Sequence, residues 1–192
     1  MADQDSKDRA ALDVLMGQLS GAGRRGRQEA AHTIEAIAKA SPDALVPYAP
    51  KLIDALGRPE AQTRWEVLSA LSEIAKVDAS SVVDAFDGAE ASLFDETSAA
   101  VRLQAFRFIA QYGATSEQRS EESWPLLDEA IQCYHGDPEY RDMLVCLQEF
   151  VQGSISDKVR AAVGARVGFD AQNGRGYTKT FSKQILEECS RK

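Results

Sequence analysis

A chain of 192 residues with 44% hydrophobic, 27% charged and 7% aromatic residues carries enough apolar material for a sizeable core. No apolar run approaches the roughly 18 residues of a membrane span, and Met1-Ala2-Asp3-Gln4-Asp5 has neither the basic nor the apolar region of a signal peptide. Three widely spaced cysteines, Cys133, Cys146 and Cys189, make neither a disulfide framework nor a zinc site, and predict a reducing, cytoplasmic setting.

Charge is unevenly placed. The formal net charge is −8, with 14 Lys/Arg against 26 Asp/Glu over residues 1–156 and 8 against 4 over 157–192. An acidic body repels nucleic-acid phosphates and anionic membrane surfaces. The basic C-terminal stretch is expected to pair with that acidic body or to be merely solvated, with a local contact to an anion or an acidic patch as the alternative.

Apolar residues recur at helical spacing along the chain, with no sustained period-2 alternation, so the fold class is all-α. Residues 5–20 predict a helix with Ala11, Leu12, Leu15, Met16 and Leu19 on one side, an N-terminal cap ended by Gly21-Ala22-Gly23. Ala30, Ala31, Ile34, Ile37 and Ala38 form the stripe of the next helix. Ser41-Pro42 then opens a helix over about 43–56, an N-cap followed by proline at the first helical position. Val67, Leu68, Leu71, Ile74 and Ala75 repeat the stripe, followed by a helix over about 81–94 with Ser81 and Asp84 as a capping-box-like pair.

Asp95-Glu96-Thr97-Ser98 reads as a solvated first turn ahead of the stripe Ala105, Phe106, Ile109, Tyr112 and Gly113. A helix over about 120–134 carries Trp124, expected to pack inward, and Asp137-Pro138 opens the helix bearing Met143, Leu144, Leu147, Phe150 and Val151. Residues 157–167 predict a helix and 168–177 a loop. A final helix over 178–189 turns Phe181, Ile185 and Leu186 inward.

The striped helices superimpose. Arg27, Arg64, Arg102 and Tyr140 stand three residues before each stripe, at spacings of 37, 38 and 38. Such a period marks a solenoid of helix pairs, each burying its face against its neighbours. The expected organisation is one domain over 1–192, with about four repeats across 24–156. Residues 157–192 are either a degenerate repeat or a C-terminal cap.

Over about 24–167 the chain resembles the HEAT-repeat family of α-solenoids, which are armadillo-like. The resemblance rests on Val46-Pro47 through Leu52-Ile53-Asp54 followed by Thr63-Arg64, on Val101-Arg102 with Ala105, and on Asp157-Lys158-Val159-Arg160-Ala161-Ala162. It implies a right-handed solenoid of antiparallel helix pairs whose second helices line a concave, partner-binding face. The third repeat lacks an Asp-Pro entry and the fourth has Tyr140-Arg141 in place of Val-Arg, which interrupts any Asp–Arg ladder.

On that resemblance, His32, Trp65, Ser69, Leu103, Arg107 and Arg141 form a row outside the apolar stripes, flanked by Glu29, Glu66, Gln104 and Asp142 and by Glu73, Gln111 and Glu149. Trp and Arg are frequent binding hot spots, and Arg107 or Arg141 suits a carboxylate. An acidic floor with an aromatic and two arginines suits a peptide of mixed or basic charge. The competing account is packing, with Trp65 folded over a neighbouring repeat and the arginines paired with Glu66 and Asp142.

No catalytic constellation and no cofactor is expected. Iron-dependent deoxyhypusine hydroxylases built on such repeats hold metal with His-Glu pairs, but neither His32 nor His135 precedes a glutamate, so no metal site is read. Gly174-Arg175-Gly176-Tyr177-Thr178-Lys179 has anion-holding character at a helix start, explained as well by a plain loop. The leading reading is a non-catalytic protein- or peptide-binding scaffold. The alternative is nucleic-acid binding, as in HEAT-like DNA-alkylation glycosylases, which the acidic body opposes. HEAT-like phycobilin lyases form a third, smaller class, to be recognised by a co-purifying colour.

Overall fold

The computed structural model describes residues 2–191, and among these every regular element is helical. The first helices are α1 (Ala2–Ser20) and α2 (Arg24–Ala40), followed by a 3-10 segment Pro42–Tyr48 that runs into α3 (Ala49–Ala55). Next come α4 (Ala61–Val77) and a second 3-10 segment Ala79–Ala85 leading into α5 (Phe86–Leu93). The chain ends with α6 (Ala99–Gly113), α7 (Glu117–Cys133), α8 (Tyr140–Gln152), α9 (Asp157–Asn173) and α10 (Gly176–Ser190). No described helix is long and apolar enough to cross a membrane. Two compact units are formed, Met1–Gly88 and Ala89–Lys192.

In the first unit α2 packs along α4, α1 on α2 and α3, and α3 on α4 and the second 3-10 segment. Helices two apart in sequence therefore lie side by side. The α4 stripe buries completely, at Val67, Leu68, Leu71, Ile74 and Ala75, while on α2 Ala30, Ala31, Ile34 and Ala38 are buried and Ile37 only half-buried. Among the described side chains of α1, Met16 and Leu19 close over completely, while Val14 is exposed.

The helix expected over 43–56 is divided, because Pro47 has no N–H to donate and its ring blocks the bond four residues back. The tighter 3-10 winding carries the chain to Tyr48. An α-helix then starts with Pro50 in its first turn, where the missing donor costs nothing. The Ser81/Asp84 pair does not form. Instead Asp78 caps the segment, accepting from the Ser80 and Ser81 amides at 3.1 and 3.3 Å.

In the second unit α6, α8 and α10 are successive neighbours, as are α7 and α9, with α6 on α7 and α9 on α10. Ser98, Ser116 and Ser156 cap α6, α7 and α9 through their hydroxyls, bonding Val101 N, Arg119 N and Val159 N at 3.3, 3.3 and 3.2 Å. Asp95 accepts from Thr97 N and Ser98 N at 2.9 and 2.8 Å, so the first turn before α6 is a built Asx turn. α8 begins at Tyr140, three residues past Asp137, because Gly136 at φ 91° and the turn bonds after Tyr134 delay it.

The loop expected over 168–177 is mostly helix. Val159, Val163, Val167 and Ala171, each one turn apart, are all buried and carry α9 through Gly168 to Asn173. The break shrinks to Gly174-Arg175, and Gly176, at φ 54°, enters α10 in the left-handed region that favours glycine. Val159-Arg160 consequently lies in the first turn of a helix that packs on α7 and is the first of its pair.

Candidate functional site

Two of the repeated arginines act as clamps. Each stands at the fourth position of its helix, so its guanidinium reaches back to the preceding segment and across to the next pair. Arg27 donates to the Gly21 carbonyl at 2.8 Å and grips the Glu60 carboxylate with two nitrogens. Arg102 does the same in the second unit, donating to the Asp95 carbonyl at 2.9 Å and to Glu139 through Nε at 2.7 Å and Nη2. Its guanidinium also lies over the Tyr134 ring, 4.8 Å from the centroid. Tyr140, grouped with these arginines by spacing, is a buried first-turn residue of α8.

The Arg27 hydrogen bond holds the Glu60 carboxyl below its usual value, outweighing burial. A carboxylate lowered in the folded state stabilises at pH above its unfolded pKa of about 4.3 and loses that contribution as pH falls through the folded value. Glu60→Gln should therefore be less stable than wild type at pH 7, with the gap closing as pH falls from about 4.3 through the lowered folded value. Urea midpoints across that range measure it; a pH-independent gap would show that the charge of Glu60 contributes nothing.

The candidate row divides between the units. In the first, His32 is exposed and its Nδ1 lies 3.1 Å from Glu66 Oε1 on α4, which also accepts from Gln62 at 3.3 Å. Ser69 is buried, and its hydroxyl donates to Glu35 Oε1 at 2.8 Å; Lys39 donates to the same oxygen at 2.8 Å. Burial pushes the Glu35 carboxyl up, but these two hydrogen bonds hold it below its usual value. Trp65 is half-buried. His32, Glu35, Glu66 and Ser69 are thus one polar cluster joining α2 and α4.

In the second unit Leu103 and Arg107 are half-buried and Arg141 is exposed. Burial raises the pKa of the Cys146 thiol on α8, and the charge and hydrogen bond of Arg107 oppose that rise. Gln111 bonds Glu149 across the same helix pair at 2.9 Å. Trp124 is half-buried on α7 beside Asp128 and Arg166. His135 lies 2.9 Å from Asp170 and against the Tyr140 ring, in an open cleft of about 360 Å³ reaching the exposed Phe169.

Glu35 and Asp170 carry contacts although neither belongs to the candidate row or its flanks. The signal for Glu35 was present: both contacts between α2 and α4 in the cluster span 34 residues, one period less one turn.

The basic C-terminal stretch is largely engaged within its own unit. Arg166 forms a two-point pair with Asp128 at 2.5 and 2.9 Å, Lys158 reaches Glu121 at 3.4 Å, and Arg191 reaches Glu188 at 2.7 Å. Arg160 donates to the Val151 carbonyl and Lys179 to that of Gln172, each at 2.8 Å.

No protein-family model matches the chain, and no characterised protein matches it in sequence. Solved structures do match in fold. A designed armadillo repeat protein in complex with the peptide (KR)4 superposes with a TM-score of 0.78 at 16% identity, over 98% of this chain and 86% of that one. A computationally designed armadillo repeat protein for modular peptide recognition gives 0.74 at 15% identity, over 97% and 86%. An engineered protein gives 0.75 at 16% identity, over 98% and 84%. The fold is that of an armadillo/HEAT-like helical repeat solenoid.

Proposed function

We propose that this chain is a non-catalytic scaffold that binds an extended protein or peptide segment through the second helices of its repeats. The supporting observation is the likeness to designed armadillo proteins made for peptide recognition, one of them in complex with a Lys/Arg peptide. Contact residues are assigned unit by unit: His32, Trp65 and Ser69 in the first, with Ser69 acting by holding Glu35, and Leu103, Arg107 and Arg141 in the second. Glu29, Glu35, Glu66 and Glu73 set the preference of the first unit for a basic or mixed-charge segment.

Fluorescence anisotropy with labelled Lys/Arg, mixed-charge and Glu/Asp octapeptides tests this. Saturable binding of the first two and none of the third is expected. Trp65→Ala combined with Arg107→Ala should weaken binding at least about 10-fold, or 1.4 kcal/mol, while moving Tm by no more than about 4 °C. Equal binding of the acidic peptide removes the charge argument. A Tm loss well beyond that range makes Trp65 a packing residue.

A further inference from the structure

The His32 cluster has the composition of a metal site. α2 contributes His32 and Glu35, three residues apart and so on one face, and α4 contributes Glu66. One imidazole nitrogen and one oxygen from each carboxylate lie within 4.8 Å of one another. Two ligands three residues apart on one helix, met by a carboxylate from its neighbour, is the pattern that di-metal carboxylate helix bundles use.

A second observation concerns Glu66 alone. Its side chain is 5% exposed, and its Oε2 is closed off from solvent with no hydrogen-bond partner. The other oxygen meets His32 at 3.1 Å and Gln62 at 3.3 Å. A buried carboxylate with one oxygen left unpartnered is costly, and a cation held with His32 and Glu35 offsets that cost.

We infer that His32, Glu35 and Glu66 bind a divalent transition-metal ion of the zinc type, clamping α2 to α4. Imidazole with two carboxylates favours zinc over the all-oxygen ions calcium and magnesium. Two carboxylates and a neutral imidazole balance the ion's charge, and three protein ligands leave the fourth tetrahedral position to water. Bond lengths near 2.0–2.2 Å require the three atoms to draw together. His32, 72% exposed, is free to rotate in, and Lys39, 56% exposed, releases Glu35 to the metal and returns its amine to water. A bound ion takes up the charge of Glu35 and Glu66 that the peptide reading gives to a basic segment; the metal alone, with no peptide present, probes this assignment separately.

The test uses the full chain, stripped of metal and titrated with Co²⁺ and then Zn²⁺. Expected are visible d–d bands from one Co²⁺ per chain, displaced by Zn²⁺, and a Tm rise of about 5 °C or more at 100-fold excess over Kd. His32→Ala, at an exposed position that does not threaten folding, should weaken Zn²⁺ binding at least about 10-fold. His135→Ala should leave it unchanged. Three results overturn the assignment: no saturable spectrum at millimolar metal, a thiolate-to-cobalt charge-transfer band placing the ion on a cysteine, or an unaltered response in His32→Ala.

Discussion

Arg102→Ala should lower the unfolding free energy of the second unit by about 3–5 kcal/mol, the usual cost of removing one partner from a buried ion pair. Glu139 is 3% exposed at its side chain, and its Oε2 already lacks a partner. Without the guanidinium its charge is left in a site that water does not reach. The same substitution releases the Asp95 carbonyl and uncovers the Tyr134 ring. Urea unfolding followed by Trp124 in a Trp65→Phe background reads the second unit alone, since each unit holds one tryptophan.

A companion variant tells the pair's net worth from the cost of breaking it. Arg102→Met with Glu139→Leu removes both charges and should recover most of the loss. Lys158→Ala, which breaks an ion pair 81% and 44% exposed, should change stability by less than about 1 kcal/mol. If Arg102→Ala costs no more than Lys158→Ala, the clamp is not a structural element.

The clamps mark how far the sequence is legible. A period of 37–38 residues and the four apolar stripes are visible without coordinates, because burial on one helix face imposes a spacing that the order of apolar residues reveals. Of the stripe positions named from sequence on α4, α6 and α8, all are buried. The partners of the arginines are not legible in the same way. Glu60 lies 33 residues beyond Arg27, and Glu139 lies 37 beyond Arg102, since connecting segments differ in length and the carboxylate precedes its helix. Periodicity sees the helices and is blind to the loops.

Residues 168–177 fail for a related reason. Four glycines within thirteen residues read as a break, yet a helix tolerates an isolated glycine at a modest cost of about 1 kcal/mol when buried side chains flank it. Val167 and Ala171 supply that burial around Gly168. In the candidate site, the row of second-helix positions was set by alignment between repeats. Alignment registers equivalent places, whereas contacts join places offset by a turn. This is why Glu66 was visible as a flanking residue but Glu35, its partner in the cluster, was not.

Gly153→Ala should destabilise the second unit by about 3 kcal/mol, the upper part of the range for forced overpacking. Its φ is −80°, which alanine adopts freely, so the cost does not come from backbone conformation. It comes from proximity: a Cβ there would stand 2.5 Å from the Ala114 carbonyl oxygen, 2.6 Å from its Cβ and 2.9 Å from its Cα. Backbone atoms have no rotamer to escape through. The connection between α8 and α9 must lift away from the end of α6, stretching the 2.7 Å bond from Ser154 N to the Ala114 carbonyl. Ala114→Gly in the Gly153→Ala background should restore only part of the loss, because it removes the Cβ contact and leaves the carbonyl in place. Gly168→Ala supplies the opposite sign. That glycine sits inside α9 with nothing within 4 Å of a Cβ, so alanine should stabilise by about 0.5–1 kcal/mol through helix propensity. Urea midpoints for the three variants, read at Trp124, decide the matter; equal effects of Gly153→Ala and Gly168→Ala would show that the approach of the α8–α9 connection to Ala114 is not held in solution.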